Sequence, residues 1–405
     1  MNIFFIVDDY PPQLDGIGDH AQCLANAMAD QGAVITVLTK QGDEGLATHK
    51  PGVNVRREIS AWTWAEVRRI ARMVKDFAGE TIVHLYYPSR SNYDRRLAIS
   101  FLPGLLRLTC PNIPVFLTAH GYHEHRLRWR LRVMPMLVSA TQRVFVHHQD
   151  LEQVSRLLPC HRFPSTIIPI GSNIPAADEL GAYQAREELG FTATDRVLVY
   201  FGGMRAEKGL LDLVYALRWV RQMHPVKLLV VCGYERPSTD TDYGRSLHAA
   251  LRHADMEGWV TFASSACPRR TAEFLKAADL AVFPFVKGAA ENRGSLLAAI
   301  TNGVPVLTTR GPSTPPQFED DFGVETVPAG DQFALRMRIH RLLSSEKLLS
   351  ALQQRAWEAS GSLDWQSIAR MTLDLYASVF QQQGSKQAPA TAPARAQAHR
   401  AVVRD

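Results

Sequence analysis

A short apolar run in the middle of the chain ends in two glycines and is followed by two cations. Val197–Phe201 has the length of a buried strand, and Gly202 and Gly203 allow a tight exit and a close backbone approach. Arg205 and Lys208 then precede apolar residues at helical spacing. Because a helix N-terminus offers free N–H donors and the positive end of the helix dipole, this pattern predicts a phosphate site. A plain strand–helix turn with two solvated cations accounts for the same residues equally well.

A second glycine turn and a histidine stand at corresponding positions in the first half of the chain. Gly16 and Gly18 follow the strand Ile3–Val7, although their spacing is not that of a dinucleotide-binding loop. His120 comes directly after the apolar strand in VFLTAHG. Ligands of open α/β sheets bind at the carboxyl ends of strands, so His120 is placed where chemistry can take place. Turn geometry for the glycines and a structural role for the histidine remain alternatives.

Composition predicts a globular protein of two domains. The chain has 405 residues, too many for one ordinary core, and is 46% apolar and 21% charged. Its net charge of +5 suits anionic ligands or a membrane surface but does not by itself indicate nucleic acid. Five scattered cysteines without a CxxC pair favour reduced thiols in the cytoplasm, and we expect neither a metal site nor a cofactor. We also expect no signal peptide and no membrane-spanning segment.

Alternating strand-like and helix-like segments predict two successive α/β series. The first contains TIVHLYY, VFLTAHG and RVFVHH, and the second contains VKLLVVCG, LAVFPF and VPVLTT. A polar, alanine-rich stretch separates them, which places a linker between Gly171 and Leu180. We therefore predict two α/β domains that face each other across a cleft.

Six segments, in order, resemble the motifs of one enzyme family. They are YPPQLDGIGDHAQCLANAMADQGAVITVLT, LTAHG, IIPIGSNIP, YFGGMRAEKGLLDLVYAL, AEFLKAADLAVFPF and NGVPVLTT. With them the chain resembles the bacterial GT-B glycosyltransferases of family 4, a retaining and metal-independent class. The resemblance implies two Rossmann-like α/β/α domains, 1–175 on the acceptor side and 176–360 for the nucleotide sugar. A helix over 361–382 would pack back on the first domain, and 383–405 would form a disordered tail.

The resemblance implies that the domains close on a nucleotide-diphosphate sugar, either a UDP- or a GDP-sugar. Lys208 and Arg205 would neutralise the diphosphate, the group that leaves. Gly16, through its backbone N–H, would contact the same diphosphate from the first domain. Gly18 and Gly203 would complete the two binding loops.

The resemblance also implies how the sugar is transferred. His120 would hydrogen-bond the donor sugar, and no protein nucleophile is expected. The departing phosphate would take the proton of the acceptor hydroxyl on the same face of the sugar. The acceptor would be a glycan, a lipid-linked molecule or another glycoconjugate of polysaccharide biosynthesis.

The donor-sugar loop departs from the family pattern of two glutamates eight residues apart. These positions fall on Ala290 and Ala298, and Glu291 lies one residue after the first. We assign Glu291 the sugar-binding role, with a solvated loop carboxylate as the alternative.

The turn after Glu291 is expected to meet the phosphates. Arg293 would add a third cation, and Ser295 would cap the helix that it begins. The backbone N–H groups around Gly294, Ser295 and Leu296 would face the phosphate.

Three functions remain open at this stage. The first is an active glycosyltransferase, and the second is a catalytically decayed GT-B protein that binds a sugar nucleotide or a partner enzyme. The third, a sugar-nucleotide epimerase, has no motif in this chain. Cations and His120 on both sides of the cleft favour the first function, whereas Ala298 favours the second.

A basic segment after His120 suggests a partner. The stretch 126–132 carries four arginines and Trp129, while Leu127, Leu131, Met134 and Val138 share one helical stripe. Pro135 should kink or restart this helix. A peripheral contact with an anionic membrane and an ordinary surface helix both account for the pattern.

Overall fold

The computed structural model contains two parallel β-sheets, each with helices between its strands. It describes residues 2–13, 15–42, 50–77, 80–86, 97–122, 127–233, 241–312 and 314–387. The α/β architecture of two sheets that the sequence predicts is therefore confirmed.

Seven strands form the first sheet, in the order β3-β2-β1-β4-β5-β6-β7. Their bounds are β1 Asn2–Ile6, β2 Val34–Lys40, β3 Val53–Ile59, β4 Thr81–Tyr86, β5 Val115–Ala119, β6 Gln142–Phe145 and β7 Ser165–Ile167. All residues of the central strands β4 and β5 are buried, as expected for parallel strands covered on both faces. The strand order reverses between β1 and β4, and ligands of open sheets bind at such a reversal.

Within the described residues, five α-helices connect these strands. They are α1 Gly16–Asp30, α2 Trp64–Lys75, α3 Leu102–Thr109, α4 Leu127–Ser139 and α5 His148–Leu157. The apolar stripe of α1, which includes Leu24, Ala25 and Met28, packs on β1 and β2. This contact fixes the N-terminus of α1 beside the end of β1.

Six strands form the second sheet, in the order β10-β9-β8-β11-β12-β13. Their bounds are β8 Arg196–Phe201, β9 Val226–Cys232, β10 Val260–Ser264, β11 Leu280–Phe283, β12 Val306–Arg310 and β13 Glu325–Pro328. The order reverses between β8 and β11. The loops after these two strands therefore lie side by side at the second expected ligand site.

Eight α-helices of the described part accompany the second sheet. They are α6 Glu179–Glu188, α7 Leu210–Val220, α8 Asp242–His253, α9 Pro268–Lys276, α10 Gly294–Thr301, α11 Phe318–Phe322, α12 Gln332–Leu343 and α13 Glu346–Ser360. α7 and α10 follow β8 and β11, so their N-termini lie at the reversal.

The last helix, α14 Trp365–Gln387, returns to the first sheet. Ile368, Ala369 and Tyr376 lie in one apolar core with Ile3 and Phe5. The Tyr376 hydroxyl also forms a hydrogen bond with Nδ1 of the buried His84. The helix continues to Gln387, five residues into the segment 383–405, and residues 388–405 lie outside the described part.

Two strands of the sheets have no counterpart in the sequence interpretation. β3 contains Arg56, Arg57 and Glu58, and β13 has only four residues. Both are edge strands, and edge strands are short or polar because one side of their backbone faces solvent. They therefore lack the apolar runs that identify central strands.

Helix α4 differs from its sequence interpretation in two respects. It is continuous from Leu127 to Ser139 with Pro135 inside it, so the proline does not divide the helix. Leu127 and Leu131 of the apolar stripe are exposed, whereas other α4 residues, Val133, Met136 and Leu137, enter the core. Leu127, Leu131 and Val138 therefore lie on the outer side of α4, whereas Met134 is partly buried against the core. Arg126 and the side chains of Arg128 and Trp129 lie outside the described part.

Candidate active site

The loop after β8 ends at Gly209, where it approaches the loop after β11 closely. Gly209 adopts a left-handed φ of 74° as the N-cap of α7. A Cβ at this position would lie 1.8 Å from the carbonyl oxygen of Pro284, so only glycine lets α7 approach the loop after β11. The Tyr200 hydroxyl donates a hydrogen bond to the carbonyl oxygen of Gly203 at 3.1 Å, which fixes the start of the loop. The first turn of α7 carries no side-chain cap.

Two of the three predicted cations lie over one aromatic ring. The Nζ of Lys208 is 5.2 Å and the guanidinium carbon of Arg293 is 5.3 Å from the centre of the Phe285 ring. Phe285 is 3% exposed and follows β11, so the ring is a fixed support for both side chains. The Nε of Arg293 is buried without a hydrogen-bond partner among the described residues. Such a donor is expected to meet a ligand.

The third predicted cation, Arg205, has a largely exposed side chain. Its side chain is 67% exposed and pairs with Glu207 at 3.3 Å. Solvent screens an exposed ion pair, so Arg205 is a weaker candidate for the phosphate than Lys208.

The N-terminus of α10 faces the loop after β8. A Cβ at Gly202 would lie 3.9 Å from the Cβ and the Oγ of Ser295. The predicted Ser295 cap is wrong, because Arg293 is the N-cap residue and Ser295 is already inside the helix. The N–H of Leu296 donates to the carbonyl oxygen of Arg293 at 2.9 Å, so of the three predicted N–H groups those of Gly294 and Ser295 remain candidates for a ligand.

Glu291 contacts the opposite domain. Its Oε2 accepts a hydrogen bond from the backbone N–H of His148 at 2.8 Å, and its Oε1 forms a hydrogen bond with the Nδ1 of His148. The Nδ1 of His147 lies 3.6 Å from the same Oε2. Glu291 is 8% exposed, so the alternative of a solvated loop carboxylate is wrong. The carboxylate instead lies at the N-terminus of α5 and links the two domains.

The environment of Glu291 keeps it ionised. Burial by itself raises the pKa of this carboxyl, but the hydrogen bonds from His147 and His148 outweigh burial and lower the pKa below its usual value. A negative charge at the N-terminus of α5 is also favourable to the helix dipole. The donor-sugar loop is thereby tied to the first domain by an ionised contact.

We expect Glu291→Gln to lower the free energy of unfolding by about 1.5–3 kcal/mol at pH 7, the usual contribution of charged hydrogen bonds. Because the folded-state pKa is depressed, this contribution is complete above the ordinary glutamate range and is lost as the pH falls through the folded-state value. Urea unfolding of both proteins between pH 7 and pH 3 measures the difference.

Glu152→Gln is the matched control for this measurement. Glu152 is exposed, and its one ion-pair partner among the described residues is the neighbouring Arg156 on α5. Its replacement should change stability by less than about 0.5 kcal/mol. Equal effects of the two substitutions would contradict the role of Glu291 as a link between domains.

His120 lies in a cluster of rings at the ends of β1, β4 and β5. Its ring centre is 4.8 Å from that of His20 and 6.5 Å from that of Tyr86. The Nε2 of His120 and the Nδ1 of His20 are buried and have no hydrogen-bond partner among the described residues. Burial lowers the pKa of His20 to about 3 and that of His120 well below its usual value. Both imidazoles are therefore neutral, and each can bind a hydroxyl group.

The N-terminus of α1 is partly capped by the chain itself. The Oδ2 of Asp15 accepts a hydrogen bond from the N–H of Gly18 at 3.0 Å. A Cβ at Gly18 would lie 2.3 Å from the carbonyl oxygen of Asp9, whereas a Cβ at Gly16 would meet nothing within 4 Å. Gly18 therefore serves close packing, and Gly16 is the one of the two glycines that is open to a ligand.

Several residues of the site were not identified from sequence. Phe285, His147, His148 and His20 all contact predicted site residues. His147 and His148 follow β6 just as His120 follows β5, and this position is a usable signal. Their contact with Glu291 has no such signal, because Glu291 and His148 lie 143 residues apart in the sequence.

Two kinds of feature are absent from the described residues. They contain no group of three or more histidines, cysteines and acidic residues that could hold a metal ion. None of their helices combines the length and the apolar character of a membrane-spanning segment.

Comparisons with known proteins agree with this geometry. The family model described as glycosyl transferases group 1 matches residues 183–358. No curated protein matches the chain.

Solved structures resemble the chain over most of its length. A sucrose-phosphate synthase from Thermosynechococcus elongatus is 19% identical, with a TM-score of 0.69 over 94% of this chain and 99% of that one. Anabaena HepE in complex with UDP and glucose is 16% identical, with a TM-score of 0.70 over 93% and 100%. A glycosyltransferase from Rickettsia africae is 14% identical, with a TM-score of 0.75 over 94% and 98%. These likenesses confirm the predicted GT-B fold.

Proposed function

We propose that this chain transfers a sugar from a nucleotide-diphosphate sugar with retention of the anomeric configuration. The match of residues 183–358 to the family model of group 1 glycosyl transferases supports this proposal. The acceptor is a glycan, a lipid-linked molecule or another glycoconjugate. One observation carries the proposal: Lys208 and Arg293 lie over Phe285, between the uncapped N-termini of α7 and α10. Two helix termini and two cations around one point suit a diphosphate.

The donor is a UDP- or a GDP-sugar in this proposal. Solved complexes of Anabaena HepE contain UDP and UDP-glucose, which supports the UDP-sugar. The positions of the family's two glutamates are the buried Ala290 and Ala298. Ribose recognition therefore has no carboxylate at Ala298.

In this proposal residues of both domains contact the donor. Lys208, Arg293 and, more weakly, Arg205 stabilise the charge that grows on the departing diphosphate, and the N–H of Gly16 contacts it from the first domain. The neutral His120 binds a hydroxyl of the donor sugar. The departing phosphate takes the proton of the acceptor hydroxyl. In this proposal residues 1–175 and 176–360 form the two domains, and residues 361–382 form the helix that packs back on the first domain.

Glu291 has a positioning role in this proposal. Its contact with His148 and His147 holds the donor-sugar loop against the first domain, so its carboxylate is engaged before a donor binds. It is less suited to hold the sugar directly than the family resemblance implies.

A binding protein without turnover is the second candidate. Buried alanines at both glutamate positions and the engaged Glu291 favour it. The ring nitrogens of His20 and His120 that have no hydrogen-bond partner among the described residues favour the enzyme, because a protein that only holds the nucleotide gains nothing from them.

A thermal-shift screen of UDP- and GDP-sugars tests both candidates. A donor at a hundred times its dissociation constant stabilises the protein by about 2.7 kcal/mol. We expect the stabilising donor to be consumed in the presence of excess chelator and to give a product with the donor's anomeric configuration, measured by NMR. Inversion, or an absolute need for a divalent metal, would contradict the retaining proposal. Stabilisation without turnover on any acceptor would favour the binding protein.

The first domain includes a surface suited to a membrane. Leu127 and Leu131 are exposed on α4, next to the cations of the stretch 126–132. We place the chain in the cytoplasm, in peripheral contact with an anionic membrane through this stretch. The ordinary surface helix remains the alternative, and sedimentation with anionic and neutral vesicles distinguishes them.

A further inference from the structure

A cavity of about 770 Å³ lies at the end of α10 that faces away from the diphosphate site. It is formed by α13, the last residue of α10 with the turn that follows it, and the linker before α6, and it includes Thr301, Gly303 and Ala176. The eight residues of α10 span about 12 Å between the two places. The cavity is therefore separate from the donor site, and its volume is in the range of small-molecule sites.

One face of α13 supplies a polar stripe with a tryptophan. Ser350, Gln353, Gln354 and Trp357 follow one another at the spacing i, i+3, i+4 and i+7, and all four line the cavity. Apolar residues of the same helix, including Leu352 and Ala356, are buried on a different face. The stripe is thus not required for packing of the helix.

Trp357 is 65% exposed, which is unusual for so large an apolar side chain. Its Cδ1 atom would lie 3.7 Å from a Cβ at Gly303, so the edge of the indole rests on the end of α10. The indole offers an apolar face to the cavity, and the side chains of Gln353 and Gln354 offer both donors and acceptors.

The charges of the cavity cancel. Glu179 and Lys276 are the charged residues among the described ones that line it, and they pair with each other at 2.9 Å. The Nζ of Lys276 also donates to the carbonyl oxygen of Ala177 at 3.1 Å. An anionic ligand would find no unpaired cation here among the described residues. A purely apolar ligand would desolvate the glutamines and the Thr301 hydroxyl, which is buried without a partner in the described part of the chain.

We propose that this cavity binds a neutral oligosaccharide. A pyranose ring has an apolar face of C–H groups and a rim of hydroxyls, which matches an indole flanked by amides. The ligand is a glycan segment held outside the cleft, in addition to the donor and acceptor sugars of the reaction. Such a site keeps the enzyme on a glycan between transfers through a second point of attachment.

The experiment is a calorimetric titration of the full chain with neutral tetrasaccharides, namely maltotetraose, cellotetraose, mannotetraose and chitotetraose. We expect at least one to bind, and Trp357→Ala to weaken its affinity about tenfold or more. Gln353→Ala, which removes only amide hydrogen bonds, should weaken it about two- to tenfold. Melting temperatures test whether both variants fold, which is expected because both positions are exposed.

Two control variants show whether the sugar binds in this cavity or elsewhere on the chain. Trp64→Ala removes another exposed tryptophan, in the first domain and 51% exposed, and should leave oligosaccharide affinity unchanged. Lys208→Ala should also leave it unchanged, even if the proposed donor site fails. The proposal is wrong if none of the four sugars binds, if binding survives Trp357→Ala, or if Lys208→Ala abolishes it. Trp357-dependent binding of glucose 6-phosphate in place of the neutral sugars would equally overturn it.

Discussion

Lys208→Ala is expected to lower kcat/KM for the donor sugar by about 10- to 150-fold. The Nζ of Lys208 lies over Phe285 at the uncapped N-terminus of α7, where a diphosphate would receive a charge-assisted contact. Contacts of this kind contribute about 1.5–3 kcal/mol, and about 1.4 kcal/mol corresponds to a factor of ten. Steady-state kinetics with the donor, together with nucleotide affinity by calorimetry, provide the measurement.

Arg205→Ala and Lys50→Ala are the controls for Lys208→Ala. Arg205 is exposed and paired with Glu207, so its replacement should have a smaller effect. Lys50 pairs with Asp30 on the far side of the first domain, so Lys50→Ala should not change kcat/KM for the donor. Unchanged donor affinity in both Lys208→Ala and Arg205→Ala would remove the basis of the phosphate site.

His120→Ala is expected to lower kcat on the order of 100-fold while nucleotide affinity changes little. A preorganised group that acts mainly in the transition state has an effect of this size. His120 is neutral because burial lowers its pKa well below the usual value, so its own titration should not shape the activity between pH 6 and pH 8. The measurement combines kcat, nucleotide affinity and melting temperature on the one variant.

A structural histidine would give the opposite result. The variant would then lose stability, and its folded fraction would turn over normally. His161→Ala, at an exposed position of the first domain, is the matched control and should change neither quantity. A stable His120→Ala protein with nearly wild-type kcat would mean that the active site has been misplaced on this side of the cleft.

Sequence patterns predict those parts of the fold that depend on neighbours along the chain. The buried strands β4, β5, β8 and β9 are apolar runs because both faces of a parallel sheet are covered. Gly209 and the start of α7 follow from local rules for glycine and helix termini. The edge strand β3 does not follow from such rules. One side of its backbone faces solvent, so several of its residues are polar and it shows no apolar run.

The site shows where such reasoning stops. Glu291 reads as a loop carboxylate, and only tertiary structure places it against His148, which is distant in sequence. Ser295 has the residue type of a helix cap, yet the helix starts one residue earlier and leaves Arg293 as the N-cap. Phe285 has the residue type of a core position, and it is buried. Its contact with two cations is not visible in the sequence, because Lys208 and Arg293 come from the loops after two different strands.

The return of α14 to the first sheet has a consequence for how the chain is made. Ile3 and Phe5 are synthesised long before Ile368 and Tyr376, which complete their core. Synthesis at about 5–20 residues per second separates these events by tens of seconds. During that time the first domain exposes apolar surface that no earlier segment covers, while the second sheet, whose strands are continuous in sequence, can already fold. The half that is synthesised first is therefore the half that is completed last.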